Sequence, residues 1–194
     1  MDNTNLPILG LDDLDEDQRS LWRYIVDGPR GPSIGAAPSS LPGPFGPWLH
    51  LPTFGRSAAE MGEILRMRSV LPGQLREIAI LTVGVHWKAE FEFWAHAQIA
   101  RREGVDERIV RALRDGTDPP FATDDQRLVH DVAVRLLETG KLTETLRDQA
   151  GTALGWPAAV ELVALVGFYC MVSFTLNAFD VHLPKGQTPI WAAQ

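Results

Sequence analysis

The fold is decided by the stretch 75–104, which reads LREIAILTVGVHWKAEFEFWAHAQIARREG. Residues 78–85 are apolar on every side, so periodicity alone does not distinguish a buried helix from a buried strand. We predict a helix there, because the rest of the chain offers no convincing strand with which it could pair. Residues 88–103 place apolar side chains at helical spacing and predict a second helix, which ends at Gly104.

Three ionisable side chains stand out in these apolar surroundings: Glu77, Glu92 and His96. His96 lies on the apolar stripe of the second predicted helix, and Glu92 projects beside it because residues four apart share a helix face. Burial of acids and imidazoles is unfavourable unless these groups are paired or used in function. Structural alternatives exist for both acids, since Glu77 can pair with Arg76 and Glu92 with Lys88. The pattern nevertheless indicates a candidate site.

Outward from this stretch, capping and stop signals predict further helices and no strands. The predicted helices run from Asp13 or Asp15 to Val26, from about Pro52 to Arg68, from Glu107 to Leu113, from Thr123 to about Thr139, from Thr143 to about Leu154, and onward from Trp156. The fold class is therefore all-α. We divide the chain into 1–42, with the first helix and a proline- and glycine-rich extension, a helical domain at 43–184, and an irregular tail at 185–194.

The segment 28–52 contains seven prolines and five glycines, which exclude regular structure over most of its length. It also contains Phe45, Trp48, Leu49 and Leu51, which are too apolar for a solvated linker. We predict a loop that is packed on the body of the protein, across either a pocket or a subunit interface.

The composition is that of an acidic globular chain of 194 residues, long enough for one well-buried domain. A formal net charge of -7 speaks against nucleic-acid or anionic-membrane partners. The acidic N-terminus lacks the layout of a signal peptide, and the polar residues in 160–179 favour a buried helix over a membrane span. Cys170 is the only cysteine, which excludes an internal disulfide. We expect a cytoplasmic protein.

The central motif resembles the carboxymuconolactone decarboxylase family, which belongs to the alkylhydroperoxidase-D-like superfamily of all-helical proteins. The resemblance covers about residues 43–184 and rests on four segments: LREIAIL at 75–81, HWKAEFE at 86–92 with His96, GPF at 43–45, and TLNAFD at 175–180. It implies an alkylhydroperoxidase-D-like helical domain that assembles into homo-trimers or homo-hexamers. It also implies a pocket at or near the subunit contacts, lined by Glu77 and His96.

The sequence departs from the peroxidase branch of this superfamily, whose motif resembles Glu…Cys-x-x-Cys-x-x-x-His. With Glu77 and His96 aligned, the two cysteine positions are occupied by Ala89 and Glu92. Cys170 lies too far along the chain to belong to the motif, and its apolar neighbours indicate a packed thiol. We therefore do not expect thiol peroxidase activity.

The remaining candidate catalytic groups, Glu77, His96 and Glu92, suit proton transfer. Decarboxylation without a cofactor needs a carbonyl or lactone conjugated to the leaving carboxylate, and a proton donor such as histidine for the resulting carbon. The same groups would serve an isomerase, a dehydratase or a lactone hydrolase. A divalent metal bound by these side chains is a further alternative, but their spacing matches no metal signature and the resemblance implies none.

We predict a cofactor-independent lyase of the decarboxylase type, without a metal, that acts on a small oxygenated acid or lactone. The main alternative is a non-catalytic helical oligomer that binds a small ligand. Six further residues are predicted to line the substrate pocket: His86, Trp87, Glu90, Phe93, Tyr169 and Asn177.

Overall fold

Helices account for the regular secondary structure in the part of the chain that the computed structural model describes, residues 6–29, 31 and 39–191. A short 3-10 turn at Leu11–Asp13 precedes helices α1 (Glu16–Val26), α2 (Phe45–Trp48), α3 (Pro52–Met67), α4 (Gly73–His86), α5 (Glu90–Arg102), α6 (Glu107–Asp115), α7 (Asp124–Thr139), α8 (Glu144–Ala153) and α9 (Trp156–Ala178). These residues contain no strand, so the all-α prediction is confirmed.

Helix α4 is the centre of the domain. It contacts α5, α6, α7 and α9, and every residue from Leu75 to Gly84 is buried. A helix that is enclosed on all sides is apolar over most of its surface, which is why the periodicity of residues 78–85 did not distinguish a helix from a strand. The predicted helical state of this run is confirmed.

A sharp corner joins α4 to α5. Helix α5 begins at Glu90 rather than at the predicted Lys88, because Lys88 adopts a left-handed backbone conformation with φ of 50°. The amide of Ala89 donates to the carbonyl of Gly84 and closes the corner, so that α5 packs back against α4. At the other end of α5, Gly104 has a φ of 85°, as expected for a left-handed helix cap.

The N-terminal helix shares the core of the central helices. Asp15, rather than Asp13, caps α1. Its side chain accepts a hydrogen bond from the backbone amide of Gln18, and the side chain of Gln18 accepts one from the backbone amide of Asp15. Helix α1 packs against α3, and its buried Leu21, Trp22 and Ile25 belong to the same hydrophobic core.

The described part of the proline-rich segment packs on the body of the protein, as predicted. Phe45, Trp48 and Leu49 are buried, and the short helix α2 presents the first two. Leu51 is 61% exposed, so the prediction that it packs is wrong. The predictions also cover residues that lie outside the described part of the chain: 1–5, 30, 32–38 and 192–194.

Helix α9 packs against α4, α7 and α8. Within the described residues it is the one helix long and apolar enough to cross a membrane, and half of its most apolar window is buried inside the domain. It therefore contributes to the core, as predicted, but one side remains uncovered. Exposed apolar side chains lie on α9 and on α3: Trp156, Val160, Val163 and Phe174, and Phe54, Met61, Ile64 and Met67.

Candidate active site

Helices α4 and α5 place Glu77 and His96 face to face in the core. Nδ1 of His96 lies 2.6 Å from Oε2 of Glu77. Glu77 is 0% exposed and His96 is 6% exposed. The two residues are 19 positions apart, so their contact depends on the packing of α5 against α4 rather than on local chain geometry.

Glu92 approaches the imidazole from its other side. Its Oε1 lies 3.1 Å from Nε2 of His96, one helical turn away along α5. Glu92 is 3% exposed. The ring of His96 is therefore held between two buried carboxylates, and we call Glu77, His96 and Glu92 the Glu–His–Glu cluster.

Glu77 is ionised at neutral pH. Burial pushes the pKa of its carboxyl upward, but the interactions with His96, Arg66 and Arg76 outweigh burial and hold this pKa below its ordinary value. Nε of Arg76 lies 3.3 Å from Oε1 of Glu77. Because an ionised carboxylate only accepts hydrogen bonds, Nδ1 of His96 is the donor to Glu77. Nε2 is then the ring nitrogen that faces Glu92.

A cavity of about 590 Å³ lies beside the cluster. Glu92 and His96 are on its wall, whereas Glu77 lies behind His96 and does not line it. Aromatic side chains form much of the remaining wall, and two arginines accompany them: Phe45, Trp48, Phe91, Trp94, Phe168 and Tyr169, with Arg66 and Arg102. A largely apolar cavity with a few converging polar groups is the usual form of a small-molecule site.

Of the six residues predicted to line the pocket, Tyr169 is on the wall of this cavity. Its ring packs edge-on against the ring of His96, with 5.0 Å between the centroids. The other five lie outside the cavity wall: His86, Trp87, Glu90, Phe93 and Asn177.

His86, Trp87 and Asn177 instead build the corner between α4 and α5. The rings of His86 and Trp87 pack edge-on, with 4.7 Å between their centroids. Nδ2 of Asn177 donates to the carbonyl of Trp87 at 2.7 Å, which attaches the end of α9 to the corner. The positions of these residues indicate structural roles.

Glu90 and Phe93 hold the C-terminal segment. The carboxylate of Glu90 accepts hydrogen bonds from the amides of Ile190 and Trp191, each at 2.9 Å. The ring of Trp191 packs against Phe93, with 5.3 Å between the centroids, and Nζ of Lys88 lies 4.9 Å from the Trp191 ring. Residues 185–191 of the predicted tail are irregular, and they are attached to α5.

The cavity wall also contains residues that the sequence analysis did not assign to a site. The sequence indicated a position near a site for Trp48, because its proline-rich segment was predicted to cover a pocket or an interface. There was no such indication for three other wall residues, because nothing in their local sequence distinguishes them from ordinary helix residues: Arg66, Arg102 and Phe168. They meet at one cavity because α3, α5 and α9 pack around it.

Cys170 belongs to a different part of the molecule. It lines an apolar recess of about 270 Å³ formed by α7, α9 and Trp87. Burial raises the pKa of its thiol, and the hydrogen bond from Trp87 only partly offsets this. The lining of the cavity beside His96 contains no cysteine among the described residues. Across the same residues, no group of three or more His, Cys, Asp or Glu side chains is arranged to hold a metal ion.

The fold and the site together define an all-helical domain with a buried Glu–His–Glu cluster beside an aromatic cavity. The chain is similar to a peroxidase-related protein with an alkylhydroperoxidase AhpD core from Ralstonia eutropha JMP134. The TM-score is 0.76 and the sequence identity 16%, and the match covers 95% of this chain and 94% of that one. It is also similar to a peroxidase-related protein from Silicibacter sp. TM1040, with a TM-score of 0.72, 15% identity, and coverage of 96% and 94%.

These comparisons establish the fold. The chain has the alkylhydroperoxidase AhpD fold, which confirms the helical fold that the resemblance implied. No family model matches the sequence, and no curated protein matches it. The resemblance to the decarboxylase family therefore rests on the sequence motif alone.

Proposed function

We propose that the protein is a cofactor-independent enzyme of the lyase or decarboxylase type that acts on a small oxygenated acid or lactone. One observation carries the proposal. The imidazole of His96 is held between two buried carboxylates on the wall of a cavity of about 590 Å³. Buried ionisable groups with specific charge partners beside a cavity are characteristic of acid–base sites.

The cluster suits the protonation step of a decarboxylation. In such a reaction the bond to the substrate carboxylate breaks, CO2 leaves, and the electron pair passes into a conjugated carbonyl or lactone to form an enolate. His96 then donates the proton on Nε2 to the carbon, and the enolate electrons form the new C–H bond.

The two glutamates support this step from opposite sides of the ring. Glu77 accepts from Nδ1–H, which fixes the ring orientation and stabilises the imidazolium before transfer. Glu92 lies on the cavity wall 3.1 Å from Nε2 and can pass to the ring, after each turnover, a proton taken up from solvent through the cavity. The same arrangement would move a proton in an isomerisation, a dehydration or a lactone opening, so product analysis must identify the reaction.

Thiol-dependent peroxide reduction has no support in this cavity. Its chemistry requires a thiolate nucleophile, and Cys170 lies in the separate recess beside α7. The motif positions of the peroxidase branch are Ala89 and Glu92. Peroxidase-related names belong to the two structural relatives, whose likeness to this chain is one of fold.

The test is a turnover assay on a panel of β-keto acids and unsaturated lactone carboxylic acids, with CO2 release and product NMR as readouts. We expect turnover of at least one compound, and we expect His96→Gln to lower kcat by roughly 10²–10⁴-fold, the usual contribution of positioned proton transfer. His130→Gln is the matched control, because His130 lies on α7 outside the cavity lining and contacts Asp131.

Two results would count against the proposal. One is the absence of turnover across the panel by a folded protein that binds the same compounds, which would favour a non-catalytic ligand-binding protein. The other is full activity of His96→Gln with an unchanged melting temperature, which would show that the reaction does not depend on the Glu–His–Glu cluster.

A further inference from the structure

We propose that Arg66 is the residue that binds the carboxylate of the ligand, and that the cavity recognises a planar aromatic or conjugated carboxylic acid. This deepens the proposed function, because it assigns the substrate class and a specificity-determining residue to the same cavity. It is tested by binding rather than by turnover.

Arg66 differs from most of the described arginines in forming no direct ion pair, although its charge at longer range helps to hold the pKa of Glu77 low. It lies on α3, is half-buried and lines the cavity. Among the described residues, neither Arg66 nor Arg102, the other arginine of the cavity wall, forms an ion pair with an acidic side chain. Nine other arginines do so: Arg56, Arg68, Arg76, Arg101, Arg108, Arg111, Arg114, Arg127 and Arg147.

Both buried glutamates already have closer partners than Arg66. Glu77 already has Nε of Arg76 at 3.3 Å and Nδ1 of His96 at 2.6 Å. Glu92 has Nε2 of His96 at 3.1 Å. A partly desolvated guanidinium on the wall of a cavity is stabilised by an anion inside that cavity, and a planar carboxylate fits its paired N–H donors.

The rest of the wall indicates the body of the ligand. Six aromatic side chains line the cavity, and Trp48 packs edge-on against both Phe45 and Phe168. Such surfaces favour flat unsaturated groups over branched or strongly hydrated ones. With the carboxylate at Arg66 and a flat apolar body against these rings, the ligand lies in the same cavity as His96.

The test compares charged and neutral probes of the same shape. Binding of benzoate and trans-cinnamate, and of benzamide and trans-cinnamamide, is measured by calorimetry and by the change in tryptophan fluorescence, to which Trp48 and Trp94 on the cavity wall contribute. We expect each carboxylate to bind about 10-fold or more tightly than its amide, as a charge-assisted bidentate contact predicts. Arg66→Gln should remove this preference by weakening carboxylate binding far more than amide binding.

The matched control is Arg68→Gln. Arg68 lies two positions after Arg66, its side chain is 72% exposed, and it pairs with Glu63, so this variant should keep the preference of the native protein. Arg102→Gln should have a smaller effect than Arg66→Gln, because Arg102 is exposed. Arg66→Lys keeps the charge without the fork of donors and should retain part of the preference, which also tests the idea should the glutamine variant fail to fold.

The His96→Gln variant separates this inference from the proposed function. Carboxylate binding that persists in His96→Gln, or in a native protein without turnover, supports the role of Arg66 whatever the chemistry of the cluster. Equal affinity for carboxylate and amide, no binding of either probe at millimolar concentration, or an unchanged preference in a folded Arg66→Gln would overturn the inference.

Discussion

Replacement of Glu77 by glutamine perturbs the buried cluster with almost no change of shape. The carboxylate is 0% exposed and contacts two cationic or potentially cationic groups, Arg76 at 3.3 Å and His96 at 2.6 Å. The glutamine amide provides one acceptor oxygen and one NH2 donor. Its oxygen can accept from Arg76, and its NH2 group then faces Nδ1 of His96, which can accept only if the imidazole carries its proton on Nε2.

The expected loss of stability is large. Removal of one partner from a buried ion pair costs about 3–5 kcal/mol, and the remaining amide acceptor places Glu77→Gln near the lower end, at about 3 kcal/mol. At about 2–4 °C per kcal/mol for a chain of this size, the melting temperature should fall by roughly 6–12 °C. Glu103→Gln is the matched control. Glu103 is the other partner of Arg76 at 3.6 Å, its side chain is 41% exposed, and its loss should cost under about 1 kcal/mol.

The effect must also depend on pH in a defined direction. The pKa of Glu77 in the folded protein lies below its ordinary value of 4.5, so ionisation of Glu77 stabilises the fold. That stabilisation is fully present above about pH 4.5, and it is lost as the pH falls through the lower, folded-state pKa. The difference in stability between native protein and Glu77→Gln should therefore be constant near neutrality and shrink in acid.

Urea denaturation followed by circular dichroism between pH 3 and pH 8 measures this difference, and steady-state kinetics on the same samples measures catalysis. Since Glu77 orients Nδ1 of His96, kcat should fall together with stability. A Glu77→Gln protein that melts like the native protein and the Glu103→Gln control at neutral pH would refute the reasoning, because the buried charge would then contribute nothing.

Sedimentation velocity at micromolar concentration should show a closed homo-oligomer, because exposed apolar side chains on α3 and α9 are typical of an interface; the family resemblance implies a homo-trimer or homo-hexamer, and a stable monomer would contradict this. Cys170→Ala should keep its activity and lose about 1 kcal/mol of unfolding free energy in urea titration, and inactivity of the folded variant would reopen thiol chemistry. Glu90→Ala should release the amides of Ile190 and Trp191, so trypsin should cleave faster after the exposed Lys185; an unchanged cleavage rate would argue against the attachment of the tail.

The local sequence predicted the features that depend on residues close together in the chain. The caps at Asp15 and Thr123 and the left-handed Gly104 place helix ends near the predicted positions. The approach of Glu92 to His96 follows from their spacing of four on one helix. The same spacing rule also predicts that Glu90 and Glu92, which are two positions apart, cannot both face the cavity. Glu90 instead binds the C-terminal segment.

The sequence by itself determined the helical class, the buried acids and imidazole, and the lack of a motif cysteine, because these depend on residue type and spacing. The meeting of Glu77 with His96 was implied by the family resemblance, and the tertiary structure supplies its distance and burial. Only the tertiary structure decided which side chains share the cavity. Arg66, Trp48 and Phe168 come from three separate helices, and the packing of those helices, not the local chain, brings them to one wall.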